Sequence, residues 1–263
     1  MKIFMAPLIS GSSGNATLIG TENTRILIDA GSTGKVILGL LDGLGAGMPE
    51  AILVTHEHTD HINAVGVISR KLGIPVFANA ETWEAMQKKI GNISLKNIRI
   101  IEESEFYIGD ICVKPFETSH DAAHPFAYSC YANGAKVSTL TDTGRFTKKM
   151  LRETEGADIV LLEANHDIGM LMNGSYPKTL KDRIRSTKGH LSNDQAAEAA
   201  RLLADTRVRG LLLGHLSREN NTLEAAFGTV KAGLKTAGID VGKDIGLGMT
   251  KRDCAVGPYL IGD

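Results

Sequence analysis

Four residues of metal-binding type fall within the six-residue sequence His-Glu-His-Thr-Asp-His, which begins at His56. It follows the run 51–55, which predicts a buried strand, so the four side chains leave that strand at its carboxyl end. The first two, His56 and His58, are expected to bind one ion. The last two, Asp60 and His61, are expected to bind a second ion from the start of the next helix. Paired divalent ions activate water in hydrolytic sites, so this spacing predicts metal-dependent hydrolysis.

Other candidate residues follow other predicted strands. Apolar runs alternate with amphipathic segments along the chain, which indicates an α/β fold. Chemistry in open α/β sheets gathers beyond the carboxyl ends of the strands, where loops converge. Five predicted strands end in a carboxylate or an imidazole, and these residues are Asp29, His56, Asp142, Glu163 and His215. The sequence therefore predicts one site built from the ends of several strands.

The helices expected between these strands are marked by apolar spacing and capping signals. Apolar residues spaced through 62–72 predict one helix directly after the metal-binding segment. Ser192 and the glutamine three positions later form a capping-box pattern, which opens a helix over 195–203. A third helix is expected over 223–236, ended by Gly238.

The length of 263 residues and the composition favour one domain over residues 1–263. The chain has no linker-like tract and no repeat, and the glycine-rich stretch 39–47 predicts a loop rather than a hinge. Beyond Gly246 the chain predicts one or two closing strands. The net charge of −1 excludes a chain that attracts nucleic acid over its whole surface and leaves room for a local basic face.

Cysteine usage and the absence of long apolar stretches bear on localisation. Cys112, Cys130 and Cys254 are odd in number and share no C-x-x-C spacing, which favours a reducing compartment. Residues 1–7 lack the long apolar region of a secretory signal. No apolar stretch approaches the roughly 20 residues that span a bilayer. We therefore expect a cytoplasmic protein without a membrane partner.

The six-residue motif resembles the His-x-His-x-Asp-His signature of the metallo-β-lactamase superfamily. This resemblance implies a four-layer αββα sandwich, in which helices flank two mixed sheets, and a site with two divalent metal ions. By the superfamily's motif order, His120 completes the ligands of the first ion, Asp142 is the carboxylate that both ions share, and His215 completes the second. Spacing alone does not distinguish His120 from His124. Asp29 is expected to orient a ligand or the bridging water, with a turn-forming role as the alternative.

The predicted ligand set consists of five imidazoles and two carboxylates. Such ligands suit zinc or manganese, and iron is a further possibility. Flavodiiron proteins share the fold but carry glutamate in place of the second histidine of the signature, whereas this chain has His58 there. The expected cofactor is therefore a pair of divalent ions, zinc or manganese, rather than redox iron.

Three motifs follow Asp142, at residues 163–167, 189–193 and 213–217. They resemble those of the phosphodiesterase branch of the superfamily, which includes tRNase Z and RNase J. The resemblance implies that His190 contacts the scissile phosphate or protonates the leaving oxygen, and that Glu163 orients His190. Between Asp142 and His215 there is no room for the large β-CASP insertion of RNase J. The stretch 120–142 is also too short for the tRNA-binding arm of tRNase Z. A bare catalytic core that recognises a generic strand end is expected.

A longer series of motifs resembles the YycJ/WalJ family of metallo-β-lactamase-fold proteins over nearly the whole chain. In chain order the motifs are residues 10–15, 56–61, 119–122, 141–144, 163–171, 174–177, 189–193 and 214–221. That family is associated with 5′-to-3′ exonuclease activity on DNA, so the resemblance implies the same activity here. The loop that holds His124 and residues 126–128 departs from the family pattern.

A substrate that carries phosphate also has physical support in the sequence. His190 stands just before a predicted helix, and helix N-termini bind anions. The run 178–188 carries five positive charges against one negative, and its position beside His190 favours contact with a phosphate backbone over an ordinary solvated face. The residues expected to contact substrate are Ser12, Asn15, His190, Ser192, Ser217 and Asn220.

The metal-binding motif predicts a dinuclear metal-dependent phosphodiesterase, and the resemblance to the YycJ/WalJ family implies that it trims DNA from a 5′ end. A hydroxide that bridges the two ions, oriented by Asp60, is expected to attack phosphorus while His190 assists the leaving oxygen. The alternatives are a small-molecule metallo-hydrolase (lactonase, thioesterase or cyclic phosphodiesterase), an RNA-processing nuclease and a non-catalytic binding module. The sequence leaves open the metal, DNA versus RNA, exonuclease versus endonuclease cleavage and the oligomeric state.

Overall fold

The computed structural model describes residues 3–261, and its strands form two seven-stranded mixed sheets flanked by helices. These residues fold into two compact units. Unit 1 comprises residues 3–117, 122–135 and 251–261, and unit 2 comprises residues 118–121 and 136–250. Within residues 3–261, no helix is long and apolar enough to cross a bilayer. The mixed α/β class predicted from the sequence is confirmed.

Strands and helices alternate through much of the chain. The strands are β1 (Ile3–Gly11), β2 (Gly14–Gly20), β3 (Arg25–Ile28), β4 (Ala51–Leu53), β5 (Val76–Ala78), β6 (Ile98–Ile100), β7 (Phe106–Ile108), β8 (Ile111–Glu117), β9 (Phe126–Ala132), β10 (Ala135–Leu140), β11 (Ile159–Glu163), β12 (Gly210–Gly214), β13 (Gly246–Met249) and β14 (Tyr259–Ile261). The α-helices are α1 (Gly34–Leu44), α2 (Thr59–Ile62), α3 (Val65–Leu72), α4 (Ala80–Ile90), α5 (Lys148–Thr154), α6 (Ile168–Asn173), α7 (Lys178–Ile184), α8 (Asn193–Ala204) and α9 (Leu223–Thr236), and a 3-10 helix spans Leu95–Asn97.

One sheet lies wholly within unit 1, in the order β14-β1-β2-β3-β4-β5-β6. Strands β1 and β2 form an antiparallel hairpin in which Gly11 pairs with Gly14, so the turn consists of residues 12–13 alone. Strands β3 to β6 run parallel. Because parallel strands end at a common edge, β3 and β4 deliver Asp29 and the segment that begins at His56 to the same edge of the sheet.

The prediction of a loop over residues 39–47 is wrong, because α1 occupies most of this stretch. Thr33 caps the first turn, and Ile37 and Leu41 form a buried face. Gly45 ends the helix in the left-handed conformation, with φ of +65°. A glycine inside a helix costs about 1 kcal/mol relative to alanine, and burying a large apolar side chain contributes about 1.5–3 kcal/mol. Burial of the apolar face therefore outweighs the glycine content.

The core of unit 1 joins the parallel strands to the helices that follow them. Leu27, Ile52 and Val76 are fully buried on β3, β4 and β5, and they belong to one apolar cluster with Ile68 of α3 and Met86 of α4. Truncating a buried side chain of this size to alanine typically costs about 2–5 kcal/mol. The edge that carries the candidate residues is therefore held by a close-packed framework.

Unit 2 is built on the parallel strands β10, β11, β12 and β13. Leu140 at the end of β10 pairs with the residue before Glu163, and Glu163 pairs with Gly214 at the end of β12. The three strands therefore end at nearly the same level. This register brings Asp142, Glu163 and His215 to one edge of the sheet.

The predicted helices largely agree with the structure. Ser192 Oγ accepts a hydrogen bond from Gln195 N at 3.2 Å while Gln195 Oε1 accepts one from Ser192 N at 2.9 Å, so the capping box is confirmed. Helix α9 covers the predicted range, and Gly238 follows it with φ of +77°. The helix predicted over 62–72 is instead divided into α2 and α3. Strands β13 and β14 close the chain as predicted.

Candidate metal and catalytic residues

In unit 1, Asp29 is the residue around which the predicted ligands are arranged. It follows β3, its N–H donates to Leu53 O at 2.8 Å, and its φ is +59°. Asp29 Oδ1 accepts from Thr55 N at 2.8 Å, and Oδ2 accepts from Thr55 Oγ1 at 2.8 Å and lies 2.7 Å from His61 Nδ1. Burial raises the pKa of Asp29, and the contacts with His61 and Thr55 oppose that rise. The carboxylate thus holds the His61 ring at one nitrogen.

The two ring nitrogens of the fully buried His61 have different roles. The contact with Asp29 assigns the proton to Nδ1, so Nε2 carries the lone pair. Nε2 lies 3.1 Å from Asn15 Nδ2 and 3.5 Å from Asp60 Oδ2. A carboxylate that holds a metal-binding histidine fixes the ring and raises its basicity. This geometry supports the prediction that Asp29 orients a ligand.

His56 and His58 lie on the turn that follows β4. His56 Nδ1 is 2.9 Å from Thr55 Oγ1, and His56 Nε2 is 3.1 Å from His58 Nδ1. The two rings meet edge to face, with centroids 4.6 Å apart. Two imidazole nitrogens turned toward each other at this distance fit a shared cation, because neutral imidazole is a preferred ligand of zinc.

The turn between His56 and His58 is held from its outer side. Lys89 Nζ, near the end of α4, donates to Glu57 O at 3.1 Å. Glu57 Oε1 accepts from Ala123 N at 2.9 Å. The residue between the two histidines therefore anchors the turn by its main chain and by its side chain.

In unit 2, three histidines converge on one carboxylate oxygen. Asp142 follows β10, is 3 % exposed and has φ of +58°. Its Oδ1 lies 3.4 Å from His215 Nε2, 3.7 Å from His120 Nε2 and 3.9 Å from His190 Nδ1. The unit thus brings together the three metal ligands predicted within it, together with His190. A carboxylate surrounded by imidazoles fits a divalent ion of borderline softness.

His120 is turned toward Asp142 by a backbone carbonyl. Its Nδ1 donates to Gly189 O at 3.0 Å, so Nε2 is the unprotonated nitrogen that faces the carboxylate. Burial lowers the pKa of His120, which favours the neutral form that binds metals. The next residue, Asp121, accepts from Arg183 Nη2 at 3.0 Å, which ties this short segment to α7.

His124, the alternative that spacing leaves open, belongs to unit 1 and has surface partners. Its Nε2 lies 3.2 Å from Glu117 Oε1, and its Nδ1 lies 3.4 Å from Glu81 Oε2. Both glutamate side chains are about half exposed, at 48 % and 57 %. These contacts support His120 over His124 as the ligand.

Glu163 and His190 form a carboxylate–imidazole pair. Glu163 Oε1 lies 2.7 Å from His190 Nδ1, and Oε2 accepts from the N–H groups of Thr143 at 3.0 Å and Leu191 at 3.3 Å. Glu163 is fully buried, and burial raises its pKa to about 8. Because Nδ1 is directed to Glu163, chemistry on a substrate has to use His190 Nε2.

Three of the predicted residues have left-handed backbones. Asp29, Asp142 and His215 follow the parallel strands β3, β10 and β12 with φ of +59°, +58° and +55°. Within residues 3–261, the other non-glycine residues with positive φ are Asn133 and Arg207. Such conformations cost about 1–3 kcal/mol each and cluster at functional sites. The backbone is therefore strained where the candidate ligands stand.

The residues predicted to contact substrate have different surroundings. Ser12 lies exposed in the hairpin turn, whereas Asn15 is buried and faces the predicted ligands. Ser192 Oγ caps α8, and Ser217 Oγ accepts from Asn220 N at 3.2 Å. His190 is engaged with its glutamate at one nitrogen. Contact of these residues with substrate stays a prediction.

The basic run 178–188 is partly engaged in structural contacts. Lys181 Nζ donates to Met172 O in α6 at 2.9 Å and to Gly174 O at 2.7 Å, and Arg183 binds Asp121. The other three cations are exposed, and they are Lys178, Arg185 and Lys188.

Four residues that hold the site were not predicted from the sequence. Thr55 and Thr143 directly adjoin predicted ligands at strand ends, and that position was a signal that could have identified them. Asn165 Nδ2 donates to His215 O at 2.9 Å, and Gly189 O accepts from His120. Asn165 and Gly189 lie within motifs of the family resemblance, but the residues that they contact are 50 and 69 positions away, so the motifs did not predict these contacts.

Comparison with known proteins finds relatives over nearly the full chain. Residues 24–216 match the family described as "Beta-lactamase superfamily domain". The chain is 42% identical over 254 residues to the exodeoxyribonuclease WalJ of Streptococcus pneumoniae serotype 2 (strain D39 / NCTC 7466), with 94% of each protein covered. It is 39% identical over 246 residues to the exodeoxyribonuclease YycJ of Bacillus anthracis, with 92% of this chain and 93% of that protein covered. The metallo-β-lactamase fold protein YhfI from Bacillus subtilis has the same fold, with a TM-score of 0.71 and 17% identity over 96% of this chain and 99% of that one.

Proposed function

This chain belongs to the metallo-β-lactamase superfamily and, within it, to the family of the WalJ and YycJ exodeoxyribonucleases, and we propose that it degrades DNA from the 5′ end. It is a hydrolase. The observation that carries a phosphodiesterase function is the pair formed by Glu163 and His190, 2.7 Å apart and adjacent to Asp142. DNA as substrate is supported by the two relatives, WalJ and YycJ, which are both exodeoxyribonucleases.

The donor atoms on offer fit divalent metal ions. His61 and His120 each have Nδ1 directed to an acceptor, so Nε2 is the nitrogen presented to a ligand position. By the motif order of the superfamily, we assign His56, His58 and His120 to one ion, Asp60, His61 and His215 to a second, and Asp142 to both. Bound ions would activate the attacking water and neutralise charge on the phosphate oxygens. Zinc or manganese suits this set, with iron as a further option.

Asp60 is proposed to orient the attacking water by accepting its hydrogen bond. Its Oδ2 lies 3.5 Å from His61 Nε2, so the carboxylate stands beside a proposed ligand. On the other side of the reaction, His190 Nε2–H would donate to the leaving oxygen. Cations bound beside Asp142 would lower the pKa of Glu163, whose carboxylate would then accept from Nδ1 and stabilise the protonated ring. General acid catalysis of this kind contributes about 10²- to 10⁴-fold.

We further propose that residues 1–263 work as a single cytoplasmic metallo-β-lactamase domain without a β-CASP insertion. The three cysteines Cys112, Cys130 and Cys254 are free thiols, which fits a reducing compartment. The match of the family over residues 24–216 supports one continuous domain of this type.

The test is a digestion of 5′-phosphorylated duplex DNA that carries a label at its 3′ end. The protein is supplemented with manganese or with zinc. We expect a ladder of labelled fragments that shortens from the 5′ end, which is absent with His61→Ala. The matched control is His124→Ala, which removes a surface histidine and should keep full activity.

Other outcomes would redirect the proposal. Shortening from the 3′ end, or internal cuts, would contradict the proposed polarity. If neither metal supports cleavage of DNA, the same variants should be tested on RNA ends and on small cyclic esters. Cleavage of RNA alone would establish the RNA-processing alternative, and cleavage of esters alone would establish the small-molecule hydrolase.

A further inference from the structure

Three segments of unit 2 each contain a buried asparagine with a structural role. Asn165 Nδ2 holds the main chain of His215. Asn193 and Asn221 exchange two hydrogen bonds, at 3.0 Å and 2.8 Å, and Asn221 Nδ2 also donates to Ala164 O at 2.9 Å. These three amides are thus used to fix the backbone of the loops that carry the candidate residues.

Two neighbouring side chains differ from this pattern. His166 is 2 % exposed and Asn220 is 1 % exposed, yet His166 Nδ1 and Asn220 Oδ1 have no hydrogen-bond partner among residues 3–261. Buried polar atoms are nearly always paired, because an unpaired one loses its hydration without replacement. A buried group that stays unpaired within the chain points to a partner that comes from outside it.

The two side chains belong to one place in the fold. Asp167 N, next to His166, donates to Asn220 O at 2.9 Å. On its other side, His166 forms a β-bridge with Ser192, two residues beyond His190. Gly174 packs closely against the same amide, because a Cβ added at Gly174 would come within 2.7 Å of Asn220 Oδ1. The unpaired atoms therefore lie in the loops adjoining the proposed catalytic histidine.

The chemistry of these groups suits an oxyanion. Burial lowers the pKa of His166 to about 4, with the positive charges of His190 and Arg185 acting in the same direction, so the imidazole is neutral and offers one N–H. A 180° flip of the Asn220 amide exchanges its oxygen and its NH₂ group, so that Asn220 donates a hydrogen bond from the position of Oδ1. Two neutral donors beside the exposed guanidinium of Arg185 match phosphate oxygens, which only accept hydrogen bonds.

We propose that His166 and Asn220 bind the DNA phosphate next to the scissile phosphodiester. This inference rests on the proposed nuclease function, in which His190 serves the scissile phosphate itself. His166 is a binding residue in this scheme, and it positions the strand through a group that does not react. Hydrogen bonds to a neighbouring phosphate fix the register of the strand without reading its sequence.

The test uses 5′-phosphorylated DNA in which one phosphate at a time is replaced by a neutral methylphosphonate. For the wild-type protein, the substitution next to the scissile position should raise KM by about ten- to a hundred-fold, the effect of one hydrogen bond to a charged group. With His166→Ala, KM on ordinary DNA should rise by a similar factor. The methylphosphonate at that position should then cause little further rise, because the variant no longer binds that phosphate.

Two further variants separate binding from folding. His166→Asn keeps an N–H donor near the position of Nδ1 and should recover much of the missing affinity. Asn220→Asp keeps the shape but adds a negative charge, so KM should rise beyond the effect of His166→Ala. Asn92→Asp, an exposed asparagine of unit 1, is the matched charge control and His124→Ala the matched histidine control. Both controls should keep the wild-type response to the methylphosphonate.

The results that overturn the inference are distinct from failure of the nuclease function. If wild-type protein digests DNA but no methylphosphonate outside the scissile position changes KM, the neighbouring phosphate is not bound. If His166→Ala lowers kcat at constant KM, or if His166→Asn is impaired as much as His166→Ala, His166 does not bind this phosphate. If wild-type protein digests no DNA under either metal, the nuclease proposal fails and this inference fails with it.

Discussion

Replacement of Asp29 by asparagine tests how the first predicted ligands are oriented. Asp29 accepts three hydrogen bonds, two from Thr55 and one from His61. In Asp29→Asn one acceptor oxygen becomes an NH₂ group. If that group faces His61, Nδ1 has to accept and the proton moves to Nε2, the nitrogen proposed to bind metal.

The expected magnitude follows from the position of Asp29 behind a ligand rather than in the ligand set. Removal of such a partner typically weakens metal binding by about 10- to 100-fold, which corresponds to about 1.4–2.7 kcal/mol. The assay is a competitive titration of zinc between the protein and a chromophoric chelator, which needs no enzymatic activity. Asp42→Asn, on the exposed side of α1, is the matched control and should bind zinc as the wild type does.

The outcome distinguishes the two roles proposed for Asp29. Asparagine tolerates a positive φ nearly as well as aspartate, so Asp29→Asn preserves the turn. Wild-type zinc affinity in a folded Asp29→Asn protein would therefore refute the orienting role and leave only the turn-forming role. A fall in zinc affinity, with an unchanged thermal transition of the metal-free protein, would establish the orienting role of Asp29.

Three further predictions concern catalysis, pH and salt. His190→Ala should lower kcat by about 10²- to 10⁴-fold while metal analysis finds an unchanged metal content, and a wild-type rate would contradict its role. Burial raises the pKa of Glu163 to about 8 from 4.5, so chelator-treated folded protein keeps a proton that the unfolded chain releases. The free energy of unfolding should therefore fall as pH rises from 4.5 to about 8. Urea unfolding at about pH 5.5 and pH 8.5 should show this fall in the wild-type protein and not in Glu163→Gln. Lys178→Glu combined with Lys188→Glu should weaken DNA binding and reduce the slope of log affinity against log salt by about 0.9 for each phosphate that is no longer neutralised, whereas an unchanged slope would exclude both lysines from the interface.

Much of the fold could be predicted because local signals agree with the packed structure. Helix α9 was predicted at its observed bounds, since apolar spacing defines its length and Gly238 provides a left-handed residue after it. The glycine content of residues 39–47 predicts a loop. The structure has a helix there because burial of Ile37 and Leu41 stabilises it. The break between α2 and α3 leaves the 3.6-residue spacing nearly intact, so the spacing could not reveal it.

The family and the enzyme class could be predicted from the motifs and are confirmed by the relatives. Side-chain interactions that depend on strand register could not be predicted. Thr143 N reaches Glu163 because β10 and β11 are parallel and nearly level, and no local pattern records that pairing. The hydrogen bond between His120 and Gly189 joins segments 69 residues apart, so it exists only in the folded chain.

The left-handed backbones of Asp29, Asp142 and His215 have a consequence for how these positions can vary. At such a φ, alanine costs about 1–2 kcal/mol, whereas glycine adopts the conformation freely. The backbone preference by itself would therefore favour glycine at all three positions. An aspartate or a histidine at such a position indicates that its side chain is needed for function, despite the backbone preference for glycine. In mutagenesis, alanine at these positions would confound strain with chemistry, while asparagine removes the charge of either aspartate and adds little backbone strain.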